Sequence, residues 1–252
     1  MDEPLMPAIT ASKYLVQAAW DDVPHLDEKT KAELLSSYPP HMRKARSQGI
    51  PSMGAGAIYP VDLDDIEVAP FAIPRFWKRA YALDVGWKCT AAIWGAEDPA
   101  DGTIYLYAEH YRGHQLPVIH AQAIKARGIW IKGAIDPAAR GRSQRDGEQL
   151  IADYKGQGLD LVNAVNAVES GLYEVWALLE TGRLKVFSTL VNLKAEYKLY
   201  RRDEHGKIVK EFDHAMDAMR YLIATWSKIA SVQVPDRTVG GGSVIADSDA
   251  GY

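Results

Sequence analysis

The chain has 252 residues, 47% of them hydrophobic, which is enough for one domain with a sizeable core plus an appendage. Its net charge of -4 excludes a generally basic protein, so any contact with nucleic acid must come from local patches. The lone cysteine, Cys89, excludes an intramolecular disulfide and favours a reducing compartment. No apolar run approaches the ~20 residues that span a bilayer, and no signal pattern opens the chain, so we expect no membrane partner.

Residues 1–72 lack the sustained hydrophobic periodicity of the rest of the chain and are predicted to be a linker or arm. Short helices are predicted from Ser12 to Trp20 and from Asp27 to Ser37, with Asp27 as the cap of the second. A run punctuated by glycine and proline, residues 49–56, follows them without sustained periodicity. We therefore expect this arm to pack on another element.

Residues 73–232 alternate between strand and helix patterns. Three consecutive strands with short connections are predicted first, and antiparallel pairing is the simplest arrangement for them: Arg79–Val85, Lys88–Gly95 and Thr103–Tyr111. Helices and short apolar strands then follow in chain order: Gln115–Arg127, Trp130–Ile135, Ser143–Gly156, Leu159–Val162, Glu169–Thr181, Leu184–Phe187, Thr189–Tyr200 and Asp213–Ile229. This order predicts an α/β fold with a mixed sheet flanked by helices. The tail, 233–252, is rich in Gly, Ser and Asp and is predicted to be disordered.

Two aspartates stand at the ends of predicted strands. Asp84 ends the apolar run of the first strand, where aspartate is disfavoured, and it could instead simply bond the following turn. Asp136 ends a later strand, and Pro137 would hold it extended so that its carboxylate projects past the sheet. Ligand sites in open α/β sheets lie at strand carboxyl ends, so both are candidate site residues.

The final helix adds two more carboxylates, Asp213 and Asp217, which are four residues apart on one helix face. At that spacing they repel unless a cation lies between them, and Arg220 shares their face. An equally simple interpretation makes Asp213 an N-cap and Asp217 a solvated charge. His214 could be a ligand or could orient a water, although an exposed histidine in the first turn is the plainer alternative.

Clustered carboxylates without an obvious lysine partner in sequence suit a hard divalent cation such as Mg²⁺. Two such ions would stabilise both the attacking and the leaving oxygen of a phosphodiester displacement. One cysteine and scattered histidines do not form the ligand spacing of a zinc site. The chain also lacks the Gly-x-x-x-x-Gly-Lys-Ser/Thr loop, so no ATP hydrolysis is expected.

Basic residues approach the same region from two sides. One loop could position phosphates, or could be merely solvated, and carries Arg140, Arg142 and Arg145. A second basic stretch leads to the final helix and comprises Lys198, Arg201, Arg202, Lys207 and Lys210. On the helix before it, Glu196, Tyr197 and Tyr200 could touch either the site or the core.

Together these motifs resemble the nuclease domain of the large terminase subunit of tailed bacteriophages. The resemblance covers about residues 76–229 and rests on the following segments: Leu-Asp-Val-Gly at 83–86, Ile-Asp-Pro-Ala at 135–138, Glu196 to Tyr200, and Asp-His-Ala-Met-Asp-Ala-Met-Arg-Tyr at 213–221. The segments 19–26 and 56–60 look like the connection between the packaging ATPase and the nuclease in that family. Because the ATPase motif itself is missing, we expect an isolated domain or a fragment.

The resemblance implies a ribonuclease-H-like fold and a Mg²⁺- or Mn²⁺-dependent endonuclease that cuts concatemeric viral DNA in the host cytoplasm. Its metal ligands would be Asp84, Asp136 and one or both of Asp213 and Asp217, with His214 as a further candidate. Its partners would be double-stranded DNA, the packaging ATPase domain, the small terminase subunit and the portal. Two alternatives stay open: another ribonuclease-H-like nuclease, such as a resolvase or transposase core, or a non-catalytic docking module.

Overall fold

The computed structural model describes residues 19–23, 26–37, 47, 56–137, 144–203 and 205–234, without the side chains of 144–149. Seven strands lie within these residues: β1 (Glu67–Val68), β2 (Lys78–Asp84), β3 (Thr90–Glu97), β4 (Ile104–Arg112), β5 (Gly133–Ile135), β6 (Leu161–Asn163) and β7 (Leu184–Phe187). Besides a 3₁₀ turn at Trp20–Asp22, the helices described over more than one residue are α1 (Glu28–Ser37), α2 (Leu63–Ile66), α3 (Pro117–Lys125), α4 (Gln144–Gly156), α5 (Val168–Glu180), α6 (Val191–Leu199) and α7 (His214–Ile229).

The strands form one mixed sheet in the order β1-β7-β4-β3-β2-β5-β6. The β2–β3 and β3–β4 pairs are antiparallel, as predicted for the first three strands, and all other neighbouring pairs are parallel. The predicted mixed α/β sheet is therefore confirmed. Because only β3 among these seven strands runs against the rest, β2, β4, β5, β6 and β7 all end at one margin, which we call the carboxyl end of the sheet.

Each face of the sheet is covered by helices. In β2, Ala80 and Ala82 pack in the core that contains α7, whereas Tyr81 and Leu83 pack in a second core with α3 and α4. This alternation follows from the two-residue period of a strand. The small alanines on the first face allow α7 to lie close against the middle of the sheet.

Part of the predicted arm is built into the domain. Tyr59 and Ile66 are almost completely buried in the α7-side core, and β1 pairs in parallel with β7. The Tyr197 hydroxyl donates to the Val61 carbonyl oxygen at 3.1 Å. Residues 56–68 thus contribute to the sheet and its core, while the division of the chain near residue 72 stays a prediction.

The remaining predictions about elements hold with small shifts or lie outside the described residues. The helix predicted from Asp27 begins at Glu28, and Thr30 N donates to Asp27 Oδ1 at 2.7 Å. The strand predicted from Trp130 begins only at Gly133, where the Tyr81 ring covers the glycine and leaves no room for a side chain. Most of the helix predicted over 12–20, and residues 235–252 of the predicted disordered tail, lie outside the described residues. In the part of the chain that the structure describes, no helix is long and apolar enough to cross a membrane.

Candidate metal centre

Two of the predicted carboxylates lie on neighbouring strands at the carboxyl end of the sheet. Asp84 is the last residue of β2, and Asp136 follows β5, which pairs in parallel with β2. The Asp136 N–H donates to the Leu83 carbonyl oxygen at 3.1 Å, so the two strand ends are held side by side. Asp84 is two residues after Ala82, and Asp136 is two residues after Ala134, and both alanines pack in the α7-side core. The alternation of side chains therefore directs both aspartates to the α7 face.

His214, the first residue of α7, contacts Asp84 directly. Its Nδ1 lies 2.7 Å from Asp84 Oδ2, and the accessible fractions of the two side chains are 33% and 14%. The hydrogen bond to Asp84 raises the pKa of His214. Burial raises the pKa of Asp84 to about 6, and the charges of Asp217 and Asp136 act in the same direction, while the His214 hydrogen bond opposes the rise. The structure thus places His214 in the site rather than as an exposed histidine.

Asp213 occupies the N-cap position of α7 but does not cap the helix with its side chain. The carboxylate of Glu196 takes that role from α6, because Glu196 Oε2 accepts from Ala215 N at 2.6 Å and from Met216 N at 3.3 Å. Its other oxygen accepts from the Tyr111 hydroxyl at 2.6 Å. The N-cap interpretation of Asp213 is therefore wrong for its side chain, and the Asp213 carboxylate is available for other contacts.

Asp217 is a buried, ion-paired carboxylate and not a solvated charge. Its Oδ1 accepts from Arg220 Nη2 at 2.9 Å, and Arg220 is only 1% exposed. Arg220 Nη1 also donates to Asn166 Oδ1 at 3.3 Å, which ties α7 to the loop after β6. The i,i+3 spacing in the sequence indicated that Arg220 is near Asp217, but it did not indicate that both are buried.

Lys210 supplies the cation that the sequence did not assign to the aspartates. Its Nζ lies 3.0 Å from Asp213 Oδ2 and 3.1 Å from Asp217 Oδ2, and its side chain is 63% accessible. These carboxylates thus have a lysine partner that was not obvious in the sequence. Lys210 lies three residues before Asp213. This spacing alone does not predict an ion pair, because the two side chains meet only if the chain between them turns. That turn depends on Phe212, which adopts a left-handed conformation with φ 55°.

The donor set fits a hard divalent cation in its chemistry. Four aspartates, all with little exposure, face one lysine, one arginine and one histidine, so negative charge is in excess. All four aspartates offer oxygen ligands, which Mg²⁺ and Mn²⁺ prefer. Among the described residues, however, no three His, Cys, Asp or Glu side chains already converge as a metal cage. In this arrangement Lys210, Arg220 and His214 contact carboxylate oxygens that a metal ion would use.

The predicted DNA-binding residues are less fully placed. Arg140 and Arg142 lie outside the described residues, and so does the side chain of Arg145. Lys198 and Arg201 are exposed on the chain that leads to α7. Arg202 is engaged within the protein, since its guanidinium contacts Glu169 Oε2 at 2.7 Å and donates to the Gly206 carbonyl oxygen at 2.9 Å. A role of these residues in DNA binding stays a prediction.

Comparison with known proteins identifies the fold that carries this site. The family described as "Terminase RNaseH-like domain" matches residues 84–225, more than half of the chain, and the match includes all four aspartates. The chain belongs to this terminase family. The large terminase subunits of Enterobacteria phage LP7 and Salmonella phage P22 are each 33% identical to it over 221 residues, or 83% of the chain. The chain spans less than half of these relatives, 46% and 44% of their lengths.

Solved structures agree with the terminase assignment. The nuclease domain of the P22 large terminase is 31% identical, with a TM-score of 0.67 over 72% of this chain and 97% of that domain. The large terminase of a thermophilic bacteriophage matches 82% of this chain and 55% of its own, at 21% identity and a TM-score of 0.58, and shows the fold alone. The ribonuclease-H-like fold expected from the resemblance is thus confirmed.

Proposed function

We propose that this terminase domain is a divalent-metal-dependent endonuclease that cuts concatemeric double-stranded viral DNA during genome packaging. The observation that carries the proposal is the meeting of Asp84, Asp136 and the first turn of α7 at the carboxyl end of the sheet. Carboxylates are seldom concentrated at a buried place without neutralising cations, and here they exceed the cations of the protein. The family assignment supports the same reaction class.

The residues have distinct tasks in this proposal. Asp84 and Asp136 are the central ligands, because the strand ends fix their backbones side by side. Asp213 is the third ligand, since its carboxylate is not used as a helix cap and its one described ion pair is with the accessible Lys210. Asp217 contributes mainly negative charge, because Arg220 holds its Oδ1 from within the core. His214 keeps the Asp84 carboxylate in one orientation.

Bound Mg²⁺ or Mn²⁺ ions, two of them in our proposal, would supply Lewis-acid stabilisation of the phosphodiester and lower the pKa of an attacking water. The protein contributes the rest by position. Lys210, which contacts both helix aspartates, has an accessible side chain that can turn to a DNA phosphate when those carboxylates take a cation. Lys198 and Arg201 would contact the backbone farther along.

The full packaging role requires other proteins. We propose that the packaging ATPase domain, the small terminase subunit and the portal are its partners in the host cytoplasm. The relatives are large terminase subunits more than twice as long as the matched region, which is consistent with a separate motor region in those proteins. In this proposal the present chain supplies the cutting activity.

Cleavage of supercoiled plasmid with Mg²⁺, Mn²⁺ or EDTA tests the function. We expect metal-dependent nicking that is lost in Asp84→Asn and Asp136→Asn and strongly reduced in Asp213→Asn. Asp160→Asn is the matched control, because Asp160 precedes β6 at the opposite end of the sheet and is 59% accessible in its side chain. Absence of cleavage by the wild type with either metal would reject the nuclease and favour the docking module. Preferential cutting of branched DNA would favour a resolvase-like enzyme.

A further inference from the structure

An exposed aromatic pair, Trp87 and His114, lies at the same end of the sheet as the aspartates. Trp87 is in the turn between β2 and β3, three residues after Asp84, and it is 65% exposed. His114 is in the loop after β4, which also ends at the carboxyl end of the sheet. We call these two residues and their turns the aromatic rim. A large aromatic side chain that is two-thirds exposed beside a candidate catalytic carboxylate is poorly explained by packing.

The rim is built by close backbone contacts rather than by a loose loop. His114 N donates to the Trp87 carbonyl oxygen at 2.8 Å. The two rings meet edge to face, with centroids 5.7 Å apart and an interplanar angle of 83°. Gly113 permits this approach, because any side chain there would collide with the Lys88 carbonyl oxygen. The orientation of the exposed Trp87 ring is therefore set by two neighbouring turns.

The rim also holds a residue in an unfavourable conformation. His114 has φ 56°, in the left-handed region that non-glycine residues seldom adopt. The conformation places its ring against Trp87, so the strained backbone supports a surface feature and not the core. Such strain tends to occur where a binding surface must keep one shape.

Positive charge flanks the pair. Lys88 follows Trp87, and Arg112 ends β4 two residues before His114; both side chains are exposed. Neither of them forms an ion pair with another residue in the described part of the chain. Aromatic rings that touch sugars or bases, together with cations that touch phosphates, are the combination by which proteins contact nucleic acid with little sequence preference.

We propose that the aromatic rim is a DNA-contacting site that positions duplex DNA beside the aspartates. In this arrangement the Trp87 ring contacts the sugars and base edges of the DNA, while Lys88 and Arg112 contact phosphates on either side. Trp87 is three residues after Asp84, and both turns of the rim lie at the carboxyl end of the sheet, where the aspartates are. DNA held at the rim would therefore lie next to the candidate metal centre. The inference rests on the proposed nuclease function and names the part of the protein that binds the substrate.

Binding and cleavage of a fluorescently labelled linear duplex test the proposal. Binding is measured by anisotropy in EDTA, so that the result does not depend on metal or on turnover. We expect Trp87→Ala to raise the Kd about tenfold, and Trp87→Phe, which keeps a ring, to stay within about threefold of the wild type. His114→Asn should produce a smaller rise, because asparagine tolerates the left-handed conformation while it removes the supporting ring.

Two further variants separate aromatic contact from charge and from general loss of surface. Lys88→Ala should lower the slope of log Kd against log salt by about one, which is the expected effect of losing one phosphate contact. Phe76→Ala is the matched control, because Phe76 is also 65% exposed but precedes β2 at the opposite end of the sheet. Its Kd should equal that of the wild type.

Steady-state cleavage distinguishes binding from chemistry. Trp87→Ala should raise KM about tenfold and leave kcat within about threefold, since the aspartates are untouched. If the wild type binds and cuts the duplex while Trp87→Ala does both with unchanged constants, the rim does not contact DNA and the inference is overturned. If the wild type neither binds nor cuts, the proposed function fails first and the inference fails with it.

Discussion

His214 Nδ1 and Asp84 Oδ2 are 2.7 Å apart, and this contact joins the end of β2 to the start of α7. The two residues are separated by 130 positions in the chain. Because α7 is fixed by packing on the sheet, the histidine can hold the carboxylate in a single orientation. The contact therefore couples the placement of the helix to the geometry of the candidate metal centre.

Replacement of His214 by alanine should lower metal-dependent DNA cleavage by about 10- to 100-fold, the usual cost of losing a residue that orients a metal ligand. Mn²⁺ affinity, measured by isothermal titration calorimetry, should fall by a similar factor. His205→Ala is the control, because His205 is exposed and lies in the loop before α7. Unchanged Mn²⁺ affinity in a folded His214→Ala protein would contradict the proposed role.

Replacement of Lys210 by alanine should tighten Mn²⁺ binding by about tenfold in the absence of DNA, equivalent to ~1.4 kcal/mol. The physical reason is competition, since the Lys210 ammonium lies within 3.1 Å of both helix aspartates. Lys207→Ala, which removes a nearby exposed charge, should leave the Kd for Mn²⁺ within about twofold. A weaker affinity in Lys210→Ala would mean that lysine helps to assemble the metal site.

Replacement of Arg220 by methionine should lower the free energy of unfolding by about 3 kcal/mol, because it removes the buried partner of Asp217 Oδ1 and leaves only the accessible Lys210 on the other oxygen. Chemical denaturation with urea measures the loss. Adding Asp217→Asn to this variant should recover part of the stability, since the buried charge is then removed. Arg183→Met is the control on an exposed arginine and should change the stability by less than ~0.5 kcal/mol.

The Tyr111–Glu196 hydrogen bond should stabilise the start of α7. Glu196 is 3% exposed and contacts both the tyrosine hydroxyl and the first turn of the helix. We expect Tyr111→Phe and Glu196→Gln each to cost ~1.5–3 kcal/mol, the range for losing a hydrogen bond to a charged group. The double variant should cost less than the sum of the two, and strict additivity in this double-mutant cycle would show that the pair is not coupled.

A buried histidine pair, His110 and His120, should make stability depend on pH. His110 Nε2 lies 2.8 Å from His120 Nδ1, and burial lowers the pKa of His110 from 6.5 to about 4. Below pH 6.5 the unfolded chain binds a proton at His110 while the folded chain does not. The neutral His110 therefore contributes fully to the free energy of unfolding above pH 6.5, and that contribution is lost as the pH falls towards 4. The loss is at most ~3 kcal/mol.

The measurement is the free energy of unfolding of the wild type and of His110→Gln between about pH 7.5 and pH 4.5. Subtracting the two free energies of unfolding at each pH removes the contributions of other titrating groups. One of these is Asp84, whose raised pKa makes its contribution to stability increase as the pH falls. We expect the wild type to lose stability relative to His110→Gln as the pH falls. Parallel curves would exclude His110 as the cause.

Local patterns in the sequence predicted the strand ends and the last helix, and with them Asp84, Asp136, Asp213 and Asp217. Strand alternation and the order of elements are local properties, so they can be interpreted without coordinates. The resemblance of the motifs to terminase nucleases supplied the topology. The exposure of Trp87, which lies in the short connection between the first two predicted strands, could not be predicted, because exposure depends on which residues pack around a side chain.

The features that the sequence did not predict depend on distant or irregular parts of the chain. Glu196 caps α7 from another helix, and its Tyr111 contact spans 85 positions. The contacts of Lys210 require the left-handed turn at Phe212, a conformation that the amino-acid type disfavours. The two-residue β1 has no periodicity of its own and is defined only by its pairing with β7.

The position of β1 has a mechanical consequence. The chain reaches the sheet through this strand, which pairs with β7 at only two residue positions, Glu67 with Val186 and Val68 with Phe187. Asp84 lies on β2, four strands farther into the sheet. Tension applied from the preceding chain would therefore first have to release the buried Tyr59 and Ile66 and then β1, before it pulled on β2. The candidate metal centre is thereby shielded from force that arrives through the backbone of the preceding residues.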